Sequence, residues 1–222
     1  MCNAFMCLSC MQFTPETNTW SMSKAELKAL LLFASKDTTR ANLNVVAFLP
    51  LEGGIQATDG HVALAVSPNQ WKPLCEKSVP LPFAALASIA TAATVRDTIE
   101  FAFARGGELG WSVVATWGAM RLEINPVDVT HPPLSQVWPA GINKTGSRVV
   151  LNSTFLVRVN AIALASKSRT NPVQVYPGNT ELDAVLVIHQ AEGCIWSAVL
   201  MPLRGEFTVD AVVAEAPSVA VA

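Results

Sequence analysis

One pattern recurs three times along this chain: a short strand, a helix and then three strands, at a period of about 65 residues. A unit of this kind leaves one sheet face and one helix stripe apolar, so it must pack against its neighbours to be stable. The first pass predicts a strand at Met11–Thr14, then a polar loop. A helix follows from the capping-box pattern Ser23-Lys24-Ala25-Glu26 to about Lys36, with strands at Val45–Leu51, Gly54–Thr58 and Val62–Val66. The second predicts a strand at Val79–Leu81, a helix at Phe83–Ala93 entered through Pro82, and strands at Thr98–Ala104, Leu109–Thr116 and Ala119–Ile124. A Pro-rich connector, Asn125–Pro139, precedes the third: a strand at Arg148–Leu151, a helix capped by Asn152 or Ser153 and running to about Lys167, then strands at Val173–Tyr176, Ala184–Gln190 and Cys194–Pro202. The fold class is α+β.

With 51% apolar and 14% charged residues, the 222-residue chain can bury a large core, and it has no apolar run long enough to span a membrane. Met1–Phe13 lacks the basic start and small-residue cleavage site of a signal peptide, so it reads as mature protein. Five irregularly spaced cysteines suit a reducing cytoplasm rather than a disulfide framework; Cys7 and Cys10 form a lone C-x-x-C, read as free thiols. No GxSxG, HExxH or P-loop is present, which removes the parts for nucleophilic, metal and phosphoryl chemistry, and no cofactor or metal is expected. Asp59 beside His61 is the only acid–base neighbourhood, and a turn explains it. The net charge of −2 is unlike that of a simple nucleic-acid binder, but the charge is unevenly spread. Residues 129–180 hold no acid and five bases (Lys144, Arg148, Arg158, Lys167, Arg169), whereas 205–222 hold three acids and no base.

Two stretches carry more than pattern. Ala57-Thr58-Asp59-Gly60-His61 is an Asp-Gly turn between strand-like runs, where Gly supplies the positive φ of a primed hairpin. Val199-Leu200-Met201-Pro202-Leu203-Arg204 closes the last strand. Together, in their order and spacing over most of the chain, they resemble the bacterial DNA polymerase III β subunit, the sliding clamp family. Phe13-Thr14, the Ser23–Leu32 helix and the Ala57–His61 turn match the family's middle domain; the third unit matches the second half of its last domain, whose first half is absent. Pro132–Pro139 resembles the inter-domain connector, although Pro133, Leu134 and Gln136 stand where acidic, aromatic and basic residues are usual. Val62 and Ala63 likewise replace the usual basic and leucine residues after the histidine.

The resemblance implies a clamp fold, with helices lining the inside of a ring and antiparallel sheets outside. It divides the chain into a complete domain at 1–130, a connector and half domain at 131–204, and an extension at 205–222. It also implies a non-enzymatic processivity factor that encloses duplex DNA without reading sequence and tethers a replicative polymerase and a clamp loader through short peptides. The peptide pocket carries over to Thr58, Gly60, His61, Pro132, Val137, Val199, Met201, Pro202, Leu203 and Arg204. The bases expected to face DNA are Lys24, Lys28, Lys36 and Arg40 on and after the first helix and Arg158, Lys167 and Arg169 around the third; the second helix carries none. The family's ring contains twelve units, so three units per chain imply a homotetramer whose third units complete each other. A plasmid or phage origin and a cytoplasmic location are the expected setting. A monomeric mimic that competes for clamp-binding peptides without enclosing DNA is the alternative.

Overall fold

The computed structural model describes residues 11–51, 53–68, 78–139, 151–166, 173–180, 183–191 and 194–202. It opens with a hairpin of β1 (Gln12–Thr14) and β2 (Thr19–Ser23), followed by α1 (Lys24–Leu31) and the strands β3 (Val45–Leu49), β4 (Gly54–Thr58) and β5 (Val62–Ser67). Next come β6 (Val79–Pro82), α2 (Phe83–Ala92), β7 (Thr98–Arg105), β8 (Trp111–Trp117) and β9 (Met120–Ile124). After a 3₁₀ turn at Leu134–Gln136 come α3 (Ser153–Ala165), β10 (Val173–Tyr176), β11 (Val185–Ala191) and β12 (Cys194–Leu200).

The strands form two antiparallel sheets. The first two units interlock by exchange: β6, the opening strand of the second, pairs with β3, while β2, the opening strand of the first, pairs with β7. One sheet therefore runs β1-β2-β7-β8-β9. The other runs β10-β11-β12-β5-β4-β3-β6, because the third unit attaches through β12 to the edge of β5. Helix α1 packs between α2 and α3. Most of the buried apolar side chains form one core that includes residues of both sheets and all three helices, with Trp20, Phe33, Phe48, Phe101 and Trp196 fully enclosed. Phe48 on β3 meets Phe101 and Phe103 on β7 at 5.4 and 5.2 Å between ring centres, which locks the two sheets together.

The start of α1 is fixed locally. Ser23 caps it, the Ser23 hydroxyl accepting from the Glu26 backbone N–H at 3.2 Å while the Glu26 carboxylate accepts from the Ser23 N–H at 2.7 Å. The same carboxylate, 1% exposed, also accepts from the Met11 N–H at 2.7 Å and so ties the chain before β1 to the helix. Glu26→Ala leaves buried donors unpaired and is expected to cost about 2 kcal/mol in a urea titration; a loss under about 0.5 kcal/mol would contradict this role.

Three expectations are corrected. The segment expected as a polar loop contains β2, whose Trp20 and Met22 point inward between Thr19, Ser21 and Ser23. This alternation was hidden by its hydroxyl residues. Helix α1 ends at Leu31 rather than near Lys36, because Ser35 bonds back to Leu43 and its hydroxyl accepts from the Asp37 N–H; Lys36 and Arg40 therefore lie on a loop. Leu151 is not in a strand, and the rest of the expected Arg148–Leu151 strand lies outside the described residues. Also outside them are Cys7, Cys10, Lys144, Lys167, Arg169, Leu203, Arg204 and residues 205–222.

Candidate functional site

The loop between β4 and β5 is built around Asp59. Thr58 pairs with Ala63, and the Asp59 N–H donates to the Val62 carbonyl at 3.3 Å, so Gly60 and His61 form the tip expected of a tight hairpin, but the Val62 N–H does not return its bond to the Asp59 carbonyl. Instead, Asp59 Oδ1 accepts from the backbone N–H groups of His61 at 2.9 Å and Val62 at 3.0 Å. The Thr58 hydroxyl accepts from the Gly60 N–H at 3.0 Å and donates to the Val62 carbonyl at 2.7 Å. Gly60 has φ +92°, a backbone conformation that calls for glycine, and the space beside it is filled by the Arg40 guanidinium, whose Nη2 would lie 2.7 Å from a Cβ.

Two arginines from distant segments fix this loop from outside. Arg40 Nη1 donates to the Asp59 carbonyl at 3.1 Å, and Arg158 Nη1, on α3, donates to Asp59 Oδ2 at 2.5 Å. Burial pushes the Asp59 pKa up, but the bonds from Arg158, His61 and Val62 outweigh it and hold the carboxyl below its ordinary value. Residues expected in two separate places, the peptide-binding turn and the DNA-facing bases, are thus one hydrogen-bonded cluster. Lys36, Arg40, His61 and Arg158 line a cleft of about 370 Å³ around Asp59.

The last strand reaches the same loop. The Met201 N–H donates to the His61 carbonyl at 3.1 Å, which brings the two singled-out stretches of sequence together. Met201 and Pro202 are half-buried there, while His61 is exposed. Val199 is not on an open wall: it is 1% exposed, in a second apolar cluster with Ala63, Ala65, Leu186, Ile188, Leu134 and Trp138. The connector residues Leu134 and Trp138 thus cover part of the sheet face carrying Ala63 and Val199, while Val137 stays exposed and Pro132 half-buried. Sequence reasoning missed Leu134 and Trp138 as anchors; two large apolar residues four apart on a short connector were the available signal.

The remaining bases are differently placed. Lys24 Nζ donates to the Ala93 carbonyl at 2.5 Å, at the C-terminal end of α2, where a cation meets the helix dipole. Lys28 and Lys36 border a groove of about 570 Å³ that is otherwise apolar, lined by Leu31, Leu32, Phe83 and Leu164 among others. On α3, Leu156, Val157 and Leu164 are 51%, 65% and 64% exposed. The exposed helical surface is therefore mixed, with cations at separate points and not one continuous basic stripe. No helix among the described residues is long and apolar enough to cross a membrane.

These interlocked βαβββ units, with α1 packed between the other two helices and antiparallel sheets that continue from one unit into the next, make up the sliding-clamp fold. Among solved structures, the chain is similar to a DNA polymerase sliding clamp from Pseudomonas aeruginosa, at 16% identity and a TM-score of 0.56 over 84% of this chain and 66% of that one. It is also similar to the β subunit from DNA polymerase of Streptococcus pyogenes, at 13% identity and a TM-score of 0.58 over 83% and 65%. A third likeness is to the P. aeruginosa DNA polymerase III β subunit bound to griselimycin, at 15% identity and a TM-score of 0.57 over 84% and 65%. This chain spans just under two thirds of the length of these clamps. No protein-family model matches its sequence, and no curated protein does.

Proposed function

We propose that this protein is a sliding clamp: a cytoplasmic, non-enzymatic ring of four copies that encircles duplex DNA and tethers a replicative polymerase and its loader through short peptides. The observation that carries this reading is the strand order. In each interlocked sheet, the first of a unit's three final strands is covered by the opening strand of its neighbour: β3 by β6, and β7 by β2. Among the described residues, β10 has no such cover, which supports reading the third unit as half of a domain. Leu156 faces away from the side of α3 that carries Arg158 and Ala161, at 51% exposure, which is where a pairing helix from a second copy belongs. The domains are then 1–130 and a half domain at 131–204, with 205–222 as an extension.

Ring geometry agrees with four chains. Helices spaced about 10 Å apart give roughly 120 Å of circumference for twelve, hence a hole of about 27 Å after subtracting a helix thickness of about 11 Å. Nine helices leave only about 18 Å, too narrow for a duplex roughly 20 Å across. Because closure and not affinity retains DNA, scattered cations suffice, and contacts to phosphates carry no sequence preference.

The partner pocket is assigned to Thr58, Gly60, His61, Pro132, Val137, Met201, Pro202, Leu203 and Arg204, with Val199 supporting it from below. Lys24, Lys28, Lys36, Arg40, Lys167 and Arg169 are assigned to the DNA side, and Arg158 acts there only through its hold on Asp59. Sedimentation equilibrium at micromolar concentration tests the ring: a mass of four chains is expected, and a stable monomer would favour the peptide-competing mimic. For the pocket, Met201→Ala with Leu203→Ala is expected to weaken a clamp-binding peptide at least about thirtyfold in a fluorescence titration. Unchanged affinity in a folded variant would remove the assignment.

A further inference from the structure

Strand β9 is the third of the second unit's final strands, and so occupies the place that β5 occupies in the first unit. The outer edge of β5 is covered by β12; that of β9 is uncovered among the described residues. The consequence shows in burial. Every residue of β5 is buried, whereas on β9 only Ile124 is, with Met120 58% and Leu122 36% exposed. Met120 and Leu122 pair with Trp117 and Ala115 of β8, whose side chains point into the core, so these are core-facing apolar positions left open at a sheet edge.

The sequence of this edge is self-complementary. Met120-Arg121-Leu122-Glu123-Ile124 reads apolar, basic, apolar, acidic, apolar about its centre. The two-residue turn at Gly118 and Ala119 closes on the Trp117–Met120 pair, which in such a hairpin is hydrogen-bonded. By alternation Met120, Leu122 and Ile124 direct their backbone groups to β8, and Arg121 and Glu123 direct theirs outward. An antiparallel partner of the same sequence can then dock with Arg121 opposite Arg121, Arg121 opposite Glu123, or Glu123 opposite Glu123. The first and third place like charges face to face; only the middle register pairs opposite charges, twice by symmetry. It also sets Leu122 against Leu122 and Met120 against Ile124, which covers the open apolar positions.

We propose that β9 pairs antiparallel with β9 of a second copy, in the register that places Arg121 opposite Glu123 of the other chain. It rests on the ring reading for its role, since this joint and the pairing of third units would alternate around four chains. The contact is isologous, the same patch on both copies, so each chain in the ring runs opposite to its neighbours.

Sedimentation equilibrium of the full chain tests it with Arg121→Glu, Glu123→Arg and the double exchange. Each single variant is expected to halve the mass from four chains to two, and the double variant to restore four. Leu122→Cys, at the centre of the joint and in a non-hydrogen-bonded pair, is expected to give a disulfide-linked pair of chains on mild oxidation. The parent, with its own five cysteines, is the control at the same oxidant concentration, and the linked pair is expected in excess over it. A four-chain parent whose mass is unmoved by Arg121→Glu would overturn this joint and leave the ring reading standing. A two-chain parent that Arg121→Glu splits and the double exchange restores would support the joint and overturn the ring. Single variants that dissociate without rescue by the double exchange would overturn the register, and a monomeric parent would overturn both readings.

Discussion

Trp138→Ala is expected to lower folding stability by about 3 kcal/mol, the usual order for deleting a large buried aromatic side chain. Trp138 is 7% exposed and, with Leu134 at 3%, anchors the connector on Ala63, Ala65 and Val199. Its removal leaves a cavity there and strips cover from the strand pair β5–β12, the one ladder among the described residues that joins the third unit to the first. Urea unfolding followed by circular dichroism measures the loss. Because Pro132 and Val137 ride on the same connector, peptide affinity should fall with it, and a variant within about 1 kcal/mol of the parent would show that the connector is not anchored this way.

Acidification is expected to destabilise the protein through His131. Its ring is buried, Nδ1 lies 3.0 Å from the Pro132 carbonyl, and Nε2 has no hydrogen-bond partner among the described residues. Burial disfavours the charged imidazolium and outweighs the Pro132 bond, lowering the pKa from 6.5 to about 4. The sign follows from proton binding: between pH 6.5 and about 4 the unfolded chain holds the proton that the folded chain refuses. Stability is therefore full above that window and falls as pH drops through it, by on the order of 3 kcal/mol. In His131→Leu this part of the pH dependence should vanish, so the difference between unfolding free energies at pH 7 and pH 4 should shrink by about that amount. An unchanged difference would place the acid sensitivity elsewhere. Asp59 works in a separate window: its folded pKa lies below 3.8, so its stabilising contribution is present above that value and lost only at lower pH.

What the sequence determined by itself was whatever a few neighbouring residues decide between them. The Ser23–Glu26 box sets the start of α1 through bonds three residues apart, and Asn152 caps α3 through the Thr154 N–H. The strands β4 and β10 fall where alternation and turn residues put them, and the other predicted strands that the structure describes, apart from that at Arg148–Leu151, differ by only a residue or two at their ends. The pairing of the Thr58–His61 loop with the last strand was legible only through the family resemblance, since nothing in either stretch names the other.

The tertiary structure decided the rest, because those choices depend on contacts between residues far apart in the chain. Arg158 binds Asp59 across 99 positions, so a base that reads as a solvated helix residue becomes a strut for a loop. Lys36 left the helix because Ser35 found partners at Leu43 and Asp37. Leu134 and Trp138 became anchors only once β5 and β12 lay side by side to receive them. The same pairing made the difference between β5 and β9. The two strands hold equivalent places in their units, yet one is buried throughout and the other is open, because a sheet edge has no sequence signature until the fold determines which strand lies beside it.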